Sequence, residues 1–293
     1  MPCKLMFENV GPERITDAMR SSFLLSVLLL SPLVQTARGA NPLDVELLSE
    51  QRSIHAGEVF CLGLHLRHPA GHHSYWKHPG IVGLATQVEW DLPPGIVAGD
   101  VQWPVPEVVK MATYDTQGYQ GETLLLIPMT AAANLTAKTV TLTAKVSWMC
   151  CGTTCNPALK VPFVVTLPVG DSVLPDPATQ ALFAKFRAWV PQPDPAWRIT
   201  VKREQGLIVL TLQSPPRNPL PKMAEGIRFF TADGQVDSSK KQTVEVLSDG
   251  LIKMSLILSE FAPAHPVTLP GVVVLQTAWQ GDGRGQLEIN PAY

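Results

Sequence analysis

Apolar and polar side chains alternate along Thr139 to Cys151 (TVTLTAKVSWMCC). Val140, Leu142, Ala144, Val146, Trp148 and Cys150 fall on one face. Thr141, Thr143, Lys145, Ser147, Met149 and Cys151 fall on the other. A period of two is that of a strand with one face in a core and the other in water. This reading buries Cys150 and leaves Cys151 accessible. Gly57 to Arg67 (GEVFCLGLHLR) repeats the pattern, with Phe60, Leu62, Leu64 and Leu66 opposed to Cys61, Gly63, His65 and Arg67. Gln87 to Leu92, Thr123 to Thr130 and Leu159 to Val169 are further strands, and Pro93-Pro94-Gly95 is a turn. Short strands at this spacing predict a sandwich.

From Asp171 the pattern changes. Asp171 to Pro177 is a Pro-rich linker, and Pro177 to Val190 (PATQALFAKFRAWV) predicts a helix with Leu182, Phe183, Phe186, Trp189 and Val190 on its apolar stripe. Pro191 and Pro193 stop it. Strands follow at Trp197 to Val201, Leu207 to Leu212, Ile227 to Thr231, Thr243 to Leu247, Leu251 to Leu258 and Val272 to Ala278. Asp233-Gly234 and Asp249-Gly250 predict hairpin turns. The expectation is an all-β chain: a β-sandwich over 41–170, then a linker helix and a second, smaller β domain over 171–293.

Composition narrows the class. Hydrophobic residues make 45% of the 293 and charged residues 16%, which fits packed globular domains rather than a disordered chain. With a net charge of −2 and no basic block, nucleic acid is excluded as an expected partner. Ser22 to Val34 is an apolar run after Arg20 and before the small-residue stretch Ala37 to Ala40. At about 13 residues it is short of the roughly 20 of a membrane span, and it reads as the core of a secretory signal peptide over 1–40, with Met19 as an alternative start. An exported, periplasmic protein is expected. Cys3 falls in the removed segment, leaving Cys61, Cys150, Cys151 and Cys155. In an oxidising compartment an even set invites disulfides.

Cys151 and Cys155 end a strand and enter a turn, with Gly152 free to adopt the backbone angles of a tight closure. Loop-closure entropy assigns such a short link roughly 2 kcal/mol, against about 4–5 kcal/mol for a loop of a hundred residues. A staple gains more from linking distant strands; a short loop suits opening and closing. A plain structural disulfide is the alternative. Cys150 reads as a core thiol or as a partner for Cys61, although the alternation points Cys61 away from the leucine face.

Five ordered stretches resemble a known family. Gly71-His72-His73-Ser74-Tyr75-Trp76-Lys77-His78-Pro79-Gly80, running on to Gly83-Leu84, is similar to its GWHTYWKNPG…GLPT signature. Val88 to Gly95 and Gln102 to Pro106 resemble its WxLPxG and QWPxP stretches, and Gly118 to Glu122 its YGYEGE segment. Trp148-Met149-Cys150-Cys151…Cys155-Asn156-Pro157 resembles WLVCxxxCIP. The family is the N-terminal periplasmic domain of DsbD-like and ScsB-like thiol:disulfide interchange proteins, and the match covers roughly 42–170. The resemblance implies an immunoglobulin-like sandwich whose Cys151–Cys155 pair is a thiol–disulfide oxidoreductase site. Cys155 would attack and Cys151 resolve. The implied partners are a membrane DsbD-like electron transporter and exported thioredoxin-like proteins. No cofactor and no small-molecule substrate are expected. The family's domain is usually fused to its transporter; the chain carries none, so a separate membrane partner is expected. His72 replaces the family's Trp, His78 its Asn, and Cys150 is an extra thiol.

Two further constellations remain. His65, His68, His72, His73 and His78 crowd into fourteen residues, and with the thiols they offer copper or zinc ligands; His72, His73 and His78 are the metal candidates. Tyr75, Trp76 and Tyr119 offer a cap or docking surface around the pair, or core aromatics. The remaining alternative is a non-catalytic interaction module.

Overall fold

The computed structural model describes residues 41–215, 226–247, 250–274 and 285–293. The proposed signal peptide, Met19 and Cys3 lie outside them. The protein is all-β with a single helix among the described residues. Its first part holds β1 (Asp44–Ser49), β2 (Gln51–Ser53), β3 (Val59–Arg67), β4 (Ser74–Tyr75), β5 (Gln87–Asp91), β6 (Ile96–Ala98), β7 (Glu107–Met111), β8 (Tyr114–Tyr119), β9 (Glu122–Ala131), β10 (Thr139–Cys151) and β11 (Cys155–Pro168). β12 (Leu174–Pro175) and α1 (Gln180–Arg187) lead to β13 (Arg198–Glu204), β14 (Leu207–Gln213), β15 (Arg228–Thr231), β16 (Thr243–Val246), β17 (Leu251–Ile257), β18 (Gly271–Val274) and β19 (Gln286–Ile289).

Two antiparallel sheets, ordered β1-β3-β9-β6 and β11-β10-β5, form the sandwich. Their inner faces supply one core. Phe60, Leu62, Leu64 and Leu66 of β3 and Leu125, Ile127 and Met129 of β9 meet Val140, Leu142, Ala144, Val146, Trp148 and Cys150 of β10. The alternation in β3 and β10 is therefore the alternation of this core. A register shift between Val146 and Trp148 interrupts the β10–β11 ladder, where Ser147 Oγ accepts from the Lys160 N–H.

β3 and β9 are buried on both faces because α1 covers the outer one. Phe183, Phe186 and Val190 pack on Cys61, Leu124 and Leu126. Gly63 permits the approach: a Cβ there would lie 2.7 Å from Leu124 Cδ1 and 2.8 Å from Phe183 Cζ. Ion pairs from Lys185 to Glu122 and from Arg187 to Glu50 pin the helix at its basic end. The helix is shorter than the expected Pro177–Val190, and Trp189, assigned to its apolar stripe, is 54% exposed in the turn that follows. Cys61 is a free thiol beneath α1, pushed up to about 11 by burial and then by Glu50. Cys150 is also free, in the sandwich core, so the two do not bridge.

In the last third, the sheets β13-β14-β17-β16 and β15-β18-β19 enclose a second core around Leu210, Met254, Phe229, Val273 and Leu287. Phe230 and Val272, on the opposite face of β15 and β18, join the first core instead. Apolar packing thus runs on from one core to the other. The strands from Trp197 onward fall where the hydrophobic pattern puts them, although the expected strand Val272–Ala278 is described only as far as Val274 and its remainder lies outside the described residues; β19 was not anticipated. β16 and β17 pair as a hairpin, as the Asp249-Gly250 turn requires, although Asp249 lies outside the described residues. Asp233-Gly234 is no hairpin turn, because β15 pairs with β18 rather than with the chain that follows it. Gly234 still adopts the left-handed φ of +78°.

Candidate functional site

The β10–β11 hairpin closes on Cys151 opposite Cys155, and the two sulfurs are bonded with their Cα atoms 4.1 Å apart. Gly152, Thr153 and Thr154 make the turn, with Gly152 N–H donating to Thr154 C=O at 2.9 Å. A Cβ on Gly152 would lie 2.8 Å from His72 Nε2, the end of a side chain that can swing aside, and Gly152 does not take the left-handed φ that its position in the turn suggests.

Cys150 is wholly buried, as the alternation requires, and burial pushes its thiol up to about 11. Cys151 is not accessible. Its exposure is 0%, against the expectation from the strand pattern. The side chain does point away from the sandwich core, but other chain segments cover that face. His73 forms a backbone bridge to Cys151, with N–H···O distances of 2.8 and 2.9 Å in the two directions. This bridge lays β4 beside the disulfide, and the Tyr75 hydroxyl donates to Cys151 Sγ at 3.2 Å. Cys155 is half-buried, and Met111 Sδ sits 3.6 Å from its Sγ. Met111 ends β7 at the tip of the β7–β8 hairpin, where Ala112 takes a left-handed φ of 53° to make the turn. The pair is therefore capped twice, by Tyr75 over Cys151 and by the hairpin tip over Cys155.

The other aromatic candidates lie in the core. Trp76 is buried there with the Lys77 ammonium 4.9 Å above its ring. Tyr119 is buried with its hydroxyl donating to Pro104 C=O, and its phenol is raised well above the usual value by burial. Only Tyr75 reaches the disulfide. Gly83 makes room for its ring, because a Cβ there would collide with Tyr75 Cε1.

The three metal candidates face different neighbours. His72 lies over Gly152, with Nδ1 near Ala70 C=O. His73 Nε2 is 3.3 Å from the Tyr75 hydroxyl. His78 Nδ1 accepts from Gly80 N–H, and its ring sits against Gly234. His65 is engaged by Glu122 and Arg67. His68 Nδ1 donates to Gly121 C=O, its Nε2 accepts from Ser74 Oγ, and burial lowers it to about 4. Among the described residues no three His, Cys, Asp or Glu side chains are grouped to hold a metal ion.

The β7–β8 hairpin was missed from sequence. Val109 and Thr116 are buried on it, yet Lys110, Met111 and Tyr114 around the tip interrupt any clean alternation. β8 is tied to the last third of the chain through Gln117. Its amide oxygen accepts from Thr231 N–H at 2.9 Å, and its amide nitrogen donates to Thr231 C=O at 2.8 Å and to His78 C=O at 2.7 Å. Ser238 Oγ donates to Asp115 C=O at 3.0 Å on the same strand.

A sandwich whose strand hairpin closes on a capped disulfide defines the class. Residues 44–165 match the family described as thiol:disulfide interchange protein DsbD, N-terminal, and this part of the chain is a DsbD N-terminal-type domain. The N-terminal periplasmic domain of ScsB from Proteus mirabilis has the same fold, at 15% identity and a TM-score of 0.58, over 88% of this chain and 97% of that one. That coverage runs beyond residue 165 and takes in part of the last third. FdeC, an Escherichia coli adhesin, aligns over 87% of this chain and 65% of that one at 13% identity, but with a TM-score of 0.22. No curated protein matches the chain at a significant level. Among the described residues no helix is long and apolar enough to cross a membrane.

Proposed function

We propose that the chain is an exported thiol–disulfide exchange protein that passes reducing equivalents from a membrane electron transporter to exported thioredoxin-like proteins. The proposed parts are a signal peptide over 1–40, the redox sandwich over 41–170 and a helix-linked β domain over 171–293. The observation that carries the reading is the asymmetry of the pair, in which Cys155 is a half-buried residue at a hairpin end while Cys151 has no exposure. An incoming thiolate can approach only the Cys155 sulfur. It forms a mixed disulfide there as the Cys151–Cys155 bond breaks, and the electron pair leaves on Cys151. The donor's second thiol attacks its own half of the mixed disulfide and releases Cys155. The donor dithiol is thereby oxidised, and this chain gains two electrons and two protons. In the second half-cycle Cys155 attacks an acceptor disulfide and Cys151 resolves the intermediate. The hairpin tip bearing Met111 moves aside in both halves.

The burial of Cys151 favours a second reading, in which the bond is a structural staple. Mixing the oxidised chain with a reduced thioredoxin-fold protein decides between them. Stoichiometric oxidation of that protein, with Cys151 and Cys155 becoming alkylatable, is expected. A chain that keeps its disulfide while the partner stays reduced is a stapled interaction module.

A further inference from the structure

Reduction leaves a thiolate on Cys151, a sulfur with no exposure to water. Burying an unpartnered charge is costly, so the leaving sulfur needs a donor already in place. We propose that Tyr75 is a catalytic residue of the exchange, its O–H donating to Cys151 Sγ as that sulfur leaves, and that His73 is a positioning residue donating its Nε2–H to the Tyr75 oxygen. The inference rests on the thiol–disulfide reading.

The geometry is prepared in the oxidised state. The phenol oxygen lies 3.2 Å from Sγ and 3.3 Å from His73 Nε2. The two rings meet edge to face, with centroids 5.2 Å apart. The backbone bridge between His73 and Cys151 fixes the imidazole and the sulfur to each other. With Nε2–H donating to it, the phenol oxygen has its remaining hydrogen free for the sulfur, and such a chain strengthens each link. The surrounding titratable groups support this assignment. Burial, and then the Cys150 thiol, push the Tyr75 phenol up to about 12, so it keeps its proton. Burial, and then His72, hold His73 below the usual imidazole range, so it acts as a neutral donor. No proton leaves Tyr75 in this step. The S–S electron pair passes to Cys151 Sγ, the existing hydrogen bond becomes charge-assisted, and solvent protonates the sulfur once the cap opens.

The test uses the full oxidised chain and its Tyr75→Phe, His73→Leu and His73→Gln variants, reduced by dithiothreitol. Phenylalanine keeps the ring and the cap but removes the donor. The Tyr75→Phe rate should fall about tenfold, and the Cys151 thiol in the reduced chain should titrate about one unit higher, as befits a hydrogen bond to a charged group. His73→Leu should slow reduction about threefold, while His73→Gln, which can still donate to the phenol, should stay near wild type. If wild type and Tyr75→Phe react alike with unchanged Cys151 titration, the assignment is wrong and the exchange reading stands. If wild type itself resists the dithiol, both fall. Should Tyr75→Phe fail to fold, the two His73 variants decide: equal rates for leucine and glutamine overturn the assignment.

Discussion

Cys151→Ser should accumulate a mixed disulfide between Cys155 and a thioredoxin-fold partner, whereas Cys155→Ser should form none and lose exchange altogether. The expectation follows from where the two sulfurs sit. Cys155 is half-exposed at the start of β11; Cys151 has no exposure and the Tyr75 hydroxyl on its sulfur. A partner can bond only to the first. Removing the second leaves the covalent intermediate without its resolving thiol, so it persists until an outside thiol arrives. Cys150 cannot substitute for Cys151, because it points into the sandwich core and burial holds it protonated at neutral pH, with its thiol at about 11. Non-reducing electrophoresis with a partner lacking its own resolving cysteine reads the result. Capture through Cys151 instead would reverse the assigned roles.

Gln117→Leu should be the most destabilising single change outside the two cores. Gln117 is 2% exposed and Thr231 1% exposed, so water cannot replace the two hydrogen bonds the amide makes to Thr231; the third, to His78 C=O, is only partly buried. Leucine fills similar space but strands the buried Thr231 N–H and C=O. At about 1–3 kcal/mol for each buried group left unpaired, the loss is about 3 kcal/mol or more. For a chain of this size that lowers the melting temperature by roughly 6–12 °C. Gln117→Glu should be at least as harmful, because the carboxylate turns an acceptor towards the Thr231 and His78 carbonyls. Calorimetry checks both. A shift below about 2 °C for leucine would show that the amide contributes little.

Much of the fold is legible in the sequence because its sheets obey a simple rule. β10 alternates since one face meets the core, and that alternation correctly buries Cys150. The accessibility expected of Cys151 fails for a reason no strand period can reveal. The covering residues, His73, Tyr75 and Met111, lie forty or more positions away and arrive by pairing of β4 with β8 and of β8 with β7. The β7–β8 hairpin hides for the same reason, since it is too short and too polar at its tip to announce itself. Asp233-Gly234 misleads because a turn signal fixes local backbone and not the strand that follows. Trp189 misleads because the helix ends two residues before it, at Arg187. The cysteine pair stands out at its strand end and turn, but of the three aromatic cap candidates only Tyr75 touches the sulfurs. Trp76 and Tyr119 show how little composition distinguishes a lid from a core.

The central claim is that the Cys151–Cys155 bond opens and closes under physiological driving force. Its most direct test is equilibrium with glutathione buffers of graded ratio, reading the reduced fraction by alkylation and intact mass. Half-reduction at a potential above about −300 mV, in the range where thioredoxin-type dithiols operate, is expected. A bond still closed below that potential would belong to a staple and would contradict the account.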